Sequence, residues 1–351
     1  MNPTIEPTAP KITLTDLTPA ELTESLNLKP FQGKQIFRWL HQRRVFDFEA
    51  MTDLSKDLRR VLAERCVAAQ LTLLTLNEAS DATAKKALFE LRDGQTVESV
   101  LLRDRDRLTV CVSSQVGCAL NCAFCATGQS GFVRDLSPGE IVEQVLHLIA
   151  DEDLQGRTPN VVYMGMGEPF RNYDAVMKSI RLLMLEEGVG VGARKITVST
   201  VGDVEGIRRF AKEDWQVRLA VSLHAANDEL RSQLVPLNKR YPLTELFAAI
   251  REYAAVTGRH VSFEWVLLQG VNDNGQHANE LADLVRGIDA TVNVIPYNAV
   301  TGTGFESPAR KVCDAFCETL IRRGINAIPR QERGGDIDAA CGQLRLRSMK
   351  R

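Results

Sequence analysis

Cys118, Cys122 and Cys125 follow the spacing C-x-x-x-C-x-x-C, and Cys111 stands a short way upstream. Three thiolates packed this tightly are too close for two separate pairs and one ligand short of a closed structural zinc site. Iron–sulfur clusters are normally held by four thiolates, so three would leave one iron open to a further ligand. A zinc knuckle completed by Cys111 or Cys341 is the alternative for the same spacing. A second feature is Met164-Gly165-Met166-Gly167-Glu168-Pro169, where glycines let the backbone approach a ligand and an acid can hold a cation. By itself it is also an ordinary tight turn. Ser199, Ser222, Leu223, His224 and Asn298 complete the set of small polar segments, and His224 alone reads as a structural histidine.

These residues need a frame that brings them to one rim. Strand-like stretches run over 108–113, 160–164, 195–199, 217–223, 261–267 and 291–296, separated by helix-like stretches at 141–150, 174–185, 204–211, 243–256 and 278–287. Six β/α units in series predict parallel strands, in a partial barrel or an open doubly wound sheet. In a barrel the loops after the strand C-termini carry the chemistry, and every segment above falls in such a loop. Ser137-Pro138-Gly139-Glu140 announces the helix after the cysteine loop as a capping box.

Ahead of this region, Thr18-Pro19-Ala20-Glu21 is another capping box, and residues 33–41 and 55–64 keep a helical rhythm. Around Asp93-Gly94 the period changes to that of a hairpin. The expected organisation is a disordered lead over 1–10, a small helical accessory domain with a β extension over 11–104, a core over 105–344 and a basic tail over 345–351. Cys313 and Cys317, one helical turn apart, and Cys66 read as core residues.

The 351 residues carry a net charge of −2, with 44% hydrophobic and 25% charged residues, values of a folded globular chain. No apolar run approaches the roughly 20 residues that span a bilayer, and the first residues lack the pattern of a signal peptide. A cytoplasmic protein without a membrane partner is expected, where clustered cysteines more often mean metal or redox chemistry than disulfide staples. Charge is uneven: from Ser25 to Phe46 there is no acid, while Lys29, Lys34, Arg38, Arg43 and Arg44 accumulate around Trp39 and His41. Two basic ends on a neutral body fit a polyanion held across one face, or simply solvated charges.

The cysteine spacing with Phe124 before its last member resembles the radical S-adenosylmethionine enzymes. The longer segments, Ser113–Leu120, Met164–Pro169, Ser222–Asn227 and Gly335–Leu344, are similar to the RlmN and Cfr family of RNA methyltransferases, over about residues 11–344. The resemblance implies a partial (β/α)6 TIM-like barrel of the radical SAM type. It implies a [4Fe-4S] cluster on Cys118, Cys122 and Cys125, and S-adenosylmethionine held by Gly167, Glu168, Ser199, Ser222, Leu223, His224 and Asn298.

It further implies methylation of adenine carbon 2 with two S-adenosylmethionine molecules per turnover. Cys341 would carry a methyl group, Cys111 would resolve the RNA adduct by forming a disulfide with Cys341, and Glu98 would accept a proton. An exposed strand glutamate is the ordinary reading of Glu98. The implied substrates are 23S rRNA at the peptidyl-transferase region and the anticodon loop of certain tRNAs, with flavodoxin as electron donor and a monomeric enzyme. Methylation at carbon 8, as in the resistance branch, and a zinc-stabilised RNA-binding protein without catalysis are the rival readings. Gly167-Glu168-Pro169 favours the carbon-2 branch, whereas Ala299, where proline is common, departs from it.

Overall fold

The computed structural model describes residues 11–330, 334–340 and 342–344. The lead, the basic tail and Cys341 lie outside the described residues.

One ten-stranded sheet organises the chain. Its strands are β1 (Leu71–Glu78), β2 (Ala84–Leu91), β3 (Thr96–Asp104), β4 (Arg107–Cys111), β5 (Asn160–Tyr163), β6 (Ile196–Thr200), β7 (Arg218–Ser222), β8 (Val261–Leu267), β9 (Ala290–Pro296) and β10 (Asn326–Pro329). Each lies beside its sequence neighbour from β1 to β10. The first four form an antiparallel meander, and from β4 onward every pair is parallel. Sheet order therefore equals chain order, as right-handed crossovers through helices produce.

The six expected β/α strands are present, and β10 adds a seventh. It is short, only Ala327 is buried and it ends in Pro329, so it lacks the apolar run that marks a buried strand. The expected hairpin at Asp93-Gly94 joins β2 and β3, but it is one part of the four-stranded meander. β1 escapes notice because most of its side chains are exposed along the sheet edge.

Helices precede the sheet and then alternate with its parallel strands. They are α1 (Pro19–Ser25), α2 (Pro30–Phe37), α3 (Lys56–Arg65), α4 (Ala126–Gln129), α5 (Pro138–Leu148), α6 (Tyr173–Met184), α7 (Val204–Phe210), α8 (Asp228–Leu234), α9 (Leu243–Thr257), α10 (Gly275–Val285) and α11 (Arg310–Arg322). Both capping boxes form: Glu21 N–H donates to Thr18 Oγ1, and Glu140 N–H to Ser137 Oγ at 3.1 Å. α6 buries Val176, Met177, Ile180 and Leu183, each worth about 1.5–3 kcal/mol when removed from water. Cys313 and Cys317, one turn apart on a helix, and Cys66, in a short strand after α3, are buried core residues as expected.

The helical N-terminal segment is fastened to α5. The buried Glu143 carboxylate accepts from Thr15 Oγ1 at 2.6 Å and from the N–H groups of Gln70 and Leu71, while Gly139 N–H donates to Asp16 Oδ1 at 2.6 Å. Glu152 bridges Lys85 of β2 at 2.9 Å and Arg103 of β3 at 2.6 Å. These bonds hold the meander and the helical segment against the parallel core.

Candidate active site

The cysteine loop starts directly after β4. A two-stranded ribbon, Gln115–Gly117 with Phe132–Asp135, brackets it, and Cys118 N–H donates to Gly131 O at 2.8 Å. Within the loop Cys125 N–H donates to Cys122 O at 3.1 Å, and Ala123 N–H donates to Leu234 O at the end of α8 at 3.0 Å. Burial pushes the Cys118 thiol up to about 12 and the Cys122 thiol well above its ordinary range, and the neighbouring cysteines and Glu168 add to both shifts. Such thiols ionise only beside a strong positive partner, which bound iron supplies. Among the described residues, no three possible ligands gather around one point as a single metal ion requires. A multi-iron cluster spreads its thiolates over several metal atoms.

The other expected residues converge on the same end of the sheet. Gly167 has φ +102°, and a Cβ there would meet Gln115 side-chain carbons at 2.6 and 2.7 Å, so only glycine lets this turn lie against the ribbon. The next residue, Glu168, is buried. Its N–H donates to Gln115 Oε1 at 2.8 Å, and its carboxylate accepts from Phe170 N–H at 3.2 Å and Val201 N–H at 3.0 Å. Burial raises its carboxyl to about 7 despite these donors, leaving a site that a bound cation would ionise.

Ser199 and Ser222 end neighbouring strands with their hydroxyls 3.4 Å apart. Leu223 is fully buried and gives its carbonyl to Arg231. His224, at φ +61°, accepts from Val266 N–H through Nδ1 at 3.1 Å and meets Phe124 edge-on at 4.6 Å. Its burial lowers the imidazole pKa to about 3, so it is neutral, and this agrees with a structural role in shaping the rim. Among the described residues the buried Asn298 Oδ1 has no hydrogen-bond partner, an acceptor that a ligand can satisfy. The raised thiols, the Gly167 cradle and this orphaned acceptor fit a three-thiolate cluster and a polar nucleoside co-substrate.

The accessory meander supplies the remaining pair. Cys111 is opposite Val100 in the antiparallel register, and Glu98 lies two residues from Val100, so both side chains face the same side of the sheet. Glu98 is 1% exposed, against the ordinary reading of an exposed strand residue, and pairs with buried Lys86 at 3.6 Å. Lys86 Nζ also donates to Asp338 O at 3.2 Å. Just after position 341 the chain is docked on the cysteine loop, where Ala126 N–H donates to Gly342 O at 2.8 Å and Thr127 Oγ1 to Leu344 O, and a bond from Ala340 N–H to Gln343 Oε1 at 3.0 Å closes the segment on itself.

Residues outside the recognisable motifs also build the site. Arg231 is buried beneath the strand ends, and Asn272 Nδ2 donates to His224 O at 2.8 Å. Neither stands in a short motif, and their roles arise only when distant loops meet. Part of the basic N-terminal stretch is used internally: Lys34 pairs with Glu187 at 3.1 Å, Arg43 stacks over Trp39 at 4.0 Å, and His41 is buried against Phe37. Lys29 and Arg38 are exposed. Among the described residues, no helix is long and apolar enough to cross a membrane.

Residues 112–285 match the radical SAM superfamily, and residues 12–68 match the ribosomal RNA large subunit methyltransferase N-terminal domain. The chain is 46% identical over 347 residues to a probable dual-specificity RNA methyltransferase RlmN of Moorella thermoacetica, covering 96% of this chain and 98% of that one. A protein of the same description from Streptococcus mutans is 49% identical over 330 residues, covering 92% and 91%. The crystal structure of a radical SAM methyltransferase from Sphaerobacter thermophilus superposes with a TM-score of 0.92 at 50% identity, covering 95% of this chain and 99% of that one. With its cysteine loop, glycine cradle and accessory segment accounted for, the chain belongs to the RlmN family of radical SAM RNA methyltransferases.

Proposed function

We propose that this enzyme forms 2-methyladenosine in 23S rRNA at the peptidyl-transferase region and in the anticodon loop of certain tRNAs. The observation that carries the reading is the docking of Gly342 and Leu344, just after position 341, at the loop of Cys118, Cys122 and Cys125, together with Lys86, which links Asp338, just before it, to Glu98. Carbon 2 of adenine is an electron-poor ring carbon without a lone pair, so it cannot attack a sulfonium methyl directly. The methyl must travel by another carrier.

When bound through Cys118, Cys122 and Cys125, the [4Fe-4S] cluster supplies the electron that turns S-adenosylmethionine into a 5′-deoxyadenosyl radical. Glu168 and the Gly167 turn would hold the methionine end of that molecule, and Ser199, Ser222, Leu223, His224 and Asn298 its nucleoside end. Cys341 takes a methyl group from a first S-adenosylmethionine by displacement, loses a hydrogen atom from it to the radical derived from a second, and adds through the methylene carbon to adenine. The adduct would then lose the carbon-2 proton, with Glu98 as its acceptor, and return its odd electron to the oxidised cluster. The Cys111 thiolate then attacks the Cys341 sulfur, forming a disulfide as the carbon–sulfur bond breaks, and the methylene group becomes the product methyl on gaining a proton. A disulfide needs α-carbons within roughly 7 Å, a distance that docking of the terminal segment would bring about.

The target adenosine must leave its stack to enter the site, and Lys29, Arg38 and Arg44 would hold the flanking phosphates. The reading includes a monomer in the cytoplasm that receives electrons from flavodoxin. Its test is anaerobic incubation of the reconstituted enzyme with methyl-labelled S-adenosylmethionine and rRNA fragments, then nucleoside mass spectrometry. Label at adenine carbon 2 is expected; label at carbon 8, on a ribose or on a base nitrogen overturns the assignment.

A further inference from the structure

Arg231 is the largest buried charge near the cysteine loop that the reaction does not use. It projects from α8 with 1% exposure. Its Nε donates to Leu223 O at 3.1 Å, Nη1 to Asn238 Oδ1 at 2.8 Å, and Nη2 to Val201 O and Ser222 O. One guanidinium thereby joins the loops that follow β6 and β7. The helix bearing it accepts the Ala123 N–H at Leu234 O, so the same unit also holds the cysteine loop. Two of the segments that build the site meet at this side chain, and the cysteine loop is held by the end of the same helix.

Every oxygen that receives these bonds is neutral. Among the described residues, no carboxylate stands within ion-pair distance of Arg231. Asp228, the acid whose charge it feels, has its Oδ1 occupied by Asn238 Nδ2 at 2.9 Å and Leu243 N–H at 2.8 Å. Burial lowers the guanidinium pKa to about 10, so it is cationic near neutral pH, and it feels the Cys122 sulfur more strongly than Asp228. An uncompensated buried cation is costly unless an anion completes the site. The anion available is the group that three thiolates make: their charge outweighs that of the iron–sulfur core, and one-electron reduction adds a further negative charge.

We propose that Arg231 is a positioning residue that also acts through its charge. It locks the cysteine loop to the ends of β6 and β7, and its cation raises the reduction potential of the centre held by Cys118, Cys122 and Cys125. Net charge and hydrogen bonding around an iron–sulfur cluster are established controls on its potential. A cation beside the centre stabilises the reduced form more than the oxidised form. The inference rests on the assignment of those three cysteines as the cluster ligands, which iron and sulfide analysis of the wild-type protein tests separately.

The experiment is a redox titration with dithionite on anaerobically reconstituted protein, read by electron paramagnetic resonance, for wild type, Arg231→Lys and Arg231→Gln. Arg231→Gln is expected to bind iron and sulfide yet show a more negative midpoint, while Arg231→Lys keeps a midpoint near wild type. A wild-type midpoint in cluster-loaded Arg231→Gln overturns the proposal, as does an equal negative shift in both variants, which would mark a purely geometric role. If Arg231→Gln does not fold, Asn238→Asp is read instead, because it sets a carboxylate against Nη1 and neutralises the cation in place. A more negative midpoint then supports the electrostatic role, and an unchanged one overturns it. Wild-type protein that binds no iron refutes the ligand assignment instead.

Discussion

Glu98 and Cys111 face the same side of the sheet from neighbouring antiparallel strands, Cys111 opposite Val100 and Glu98 one alternation away. Lys86, also opposite Val100 on its other side, pairs with Glu98 and reaches Asp338 O. An acid and a thiol outside the cysteine loop thus share one surface with the terminal segment. The proposed reaction would use this arrangement to deprotonate and release a covalent RNA adduct.

The terminal segment depends on its backbone. Gly342 has φ +83°, a conformation that costs an L-residue about 1–2 kcal/mol. Gly342→Ala is expected to loosen the bonds from Ala126 N–H and Thr127 Oγ1 without disturbing the cysteine loop. Methyl transfer to RNA should fall about tenfold or more. Iron and sulfide content, measured on the same anaerobic preparation, should stay at the wild-type level.

The Gly167 turn admits no side chain. Gly167→Ala places Cβ within 2.6 Å of Gln115 and keeps an L-residue at φ +102°. A strain of about 1–3 kcal/mol is expected, enough to weaken S-adenosylmethionine binding roughly tenfold. Isothermal titration on anaerobic protein checks this, while iron content should match wild type because no cysteine is moved.

Glu143 makes the join between the N-terminal segment and the core depend on pH. Burial raises its carboxyl to about 7 from an ordinary 4.5. Because the folded value is the higher one, its contribution to stability is greatest below about 4.5, declines as pH rises toward 7 and is flat above. Glu143→Gln should remove that slope, so the stability difference between wild type and variant changes by at most about 3 kcal/mol across the window. Urea melts followed by tryptophan fluorescence between pH 5 and 8 measure it.

Much of this site was legible because its chemistry is written in short runs. Cys118, Cys122, Cys125 and Gly167-Glu168 sit in loops after successive strands, and alternation of apolar strands with capped helices placed those loops on one rim. β1 and β10 were hidden because they are exposed edge strands without a buried apolar run. Arg231 and Lys86 were hidden for another reason. A charged residue in a sequence reads as surface, and only the meeting of distant segments shows it to be buried. The basic stretch errs the opposite way: Trp39 and His41 belong to the core, so the face open to RNA is smaller than the charge count implies.

In the proposed reaction the methyl carbon reaches RNA through Cys341 as a methylene group. S-adenosylmethionine carrying a fully deuterated methyl tests it, with the mass of the methyladenosine read after RNA digestion under anaerobic turnover in ordinary water. Transfer through a methylene group predicts a product that keeps two of the three deuteriums. A product that keeps all three would contradict the account, because it would mean that the methyl moved intact.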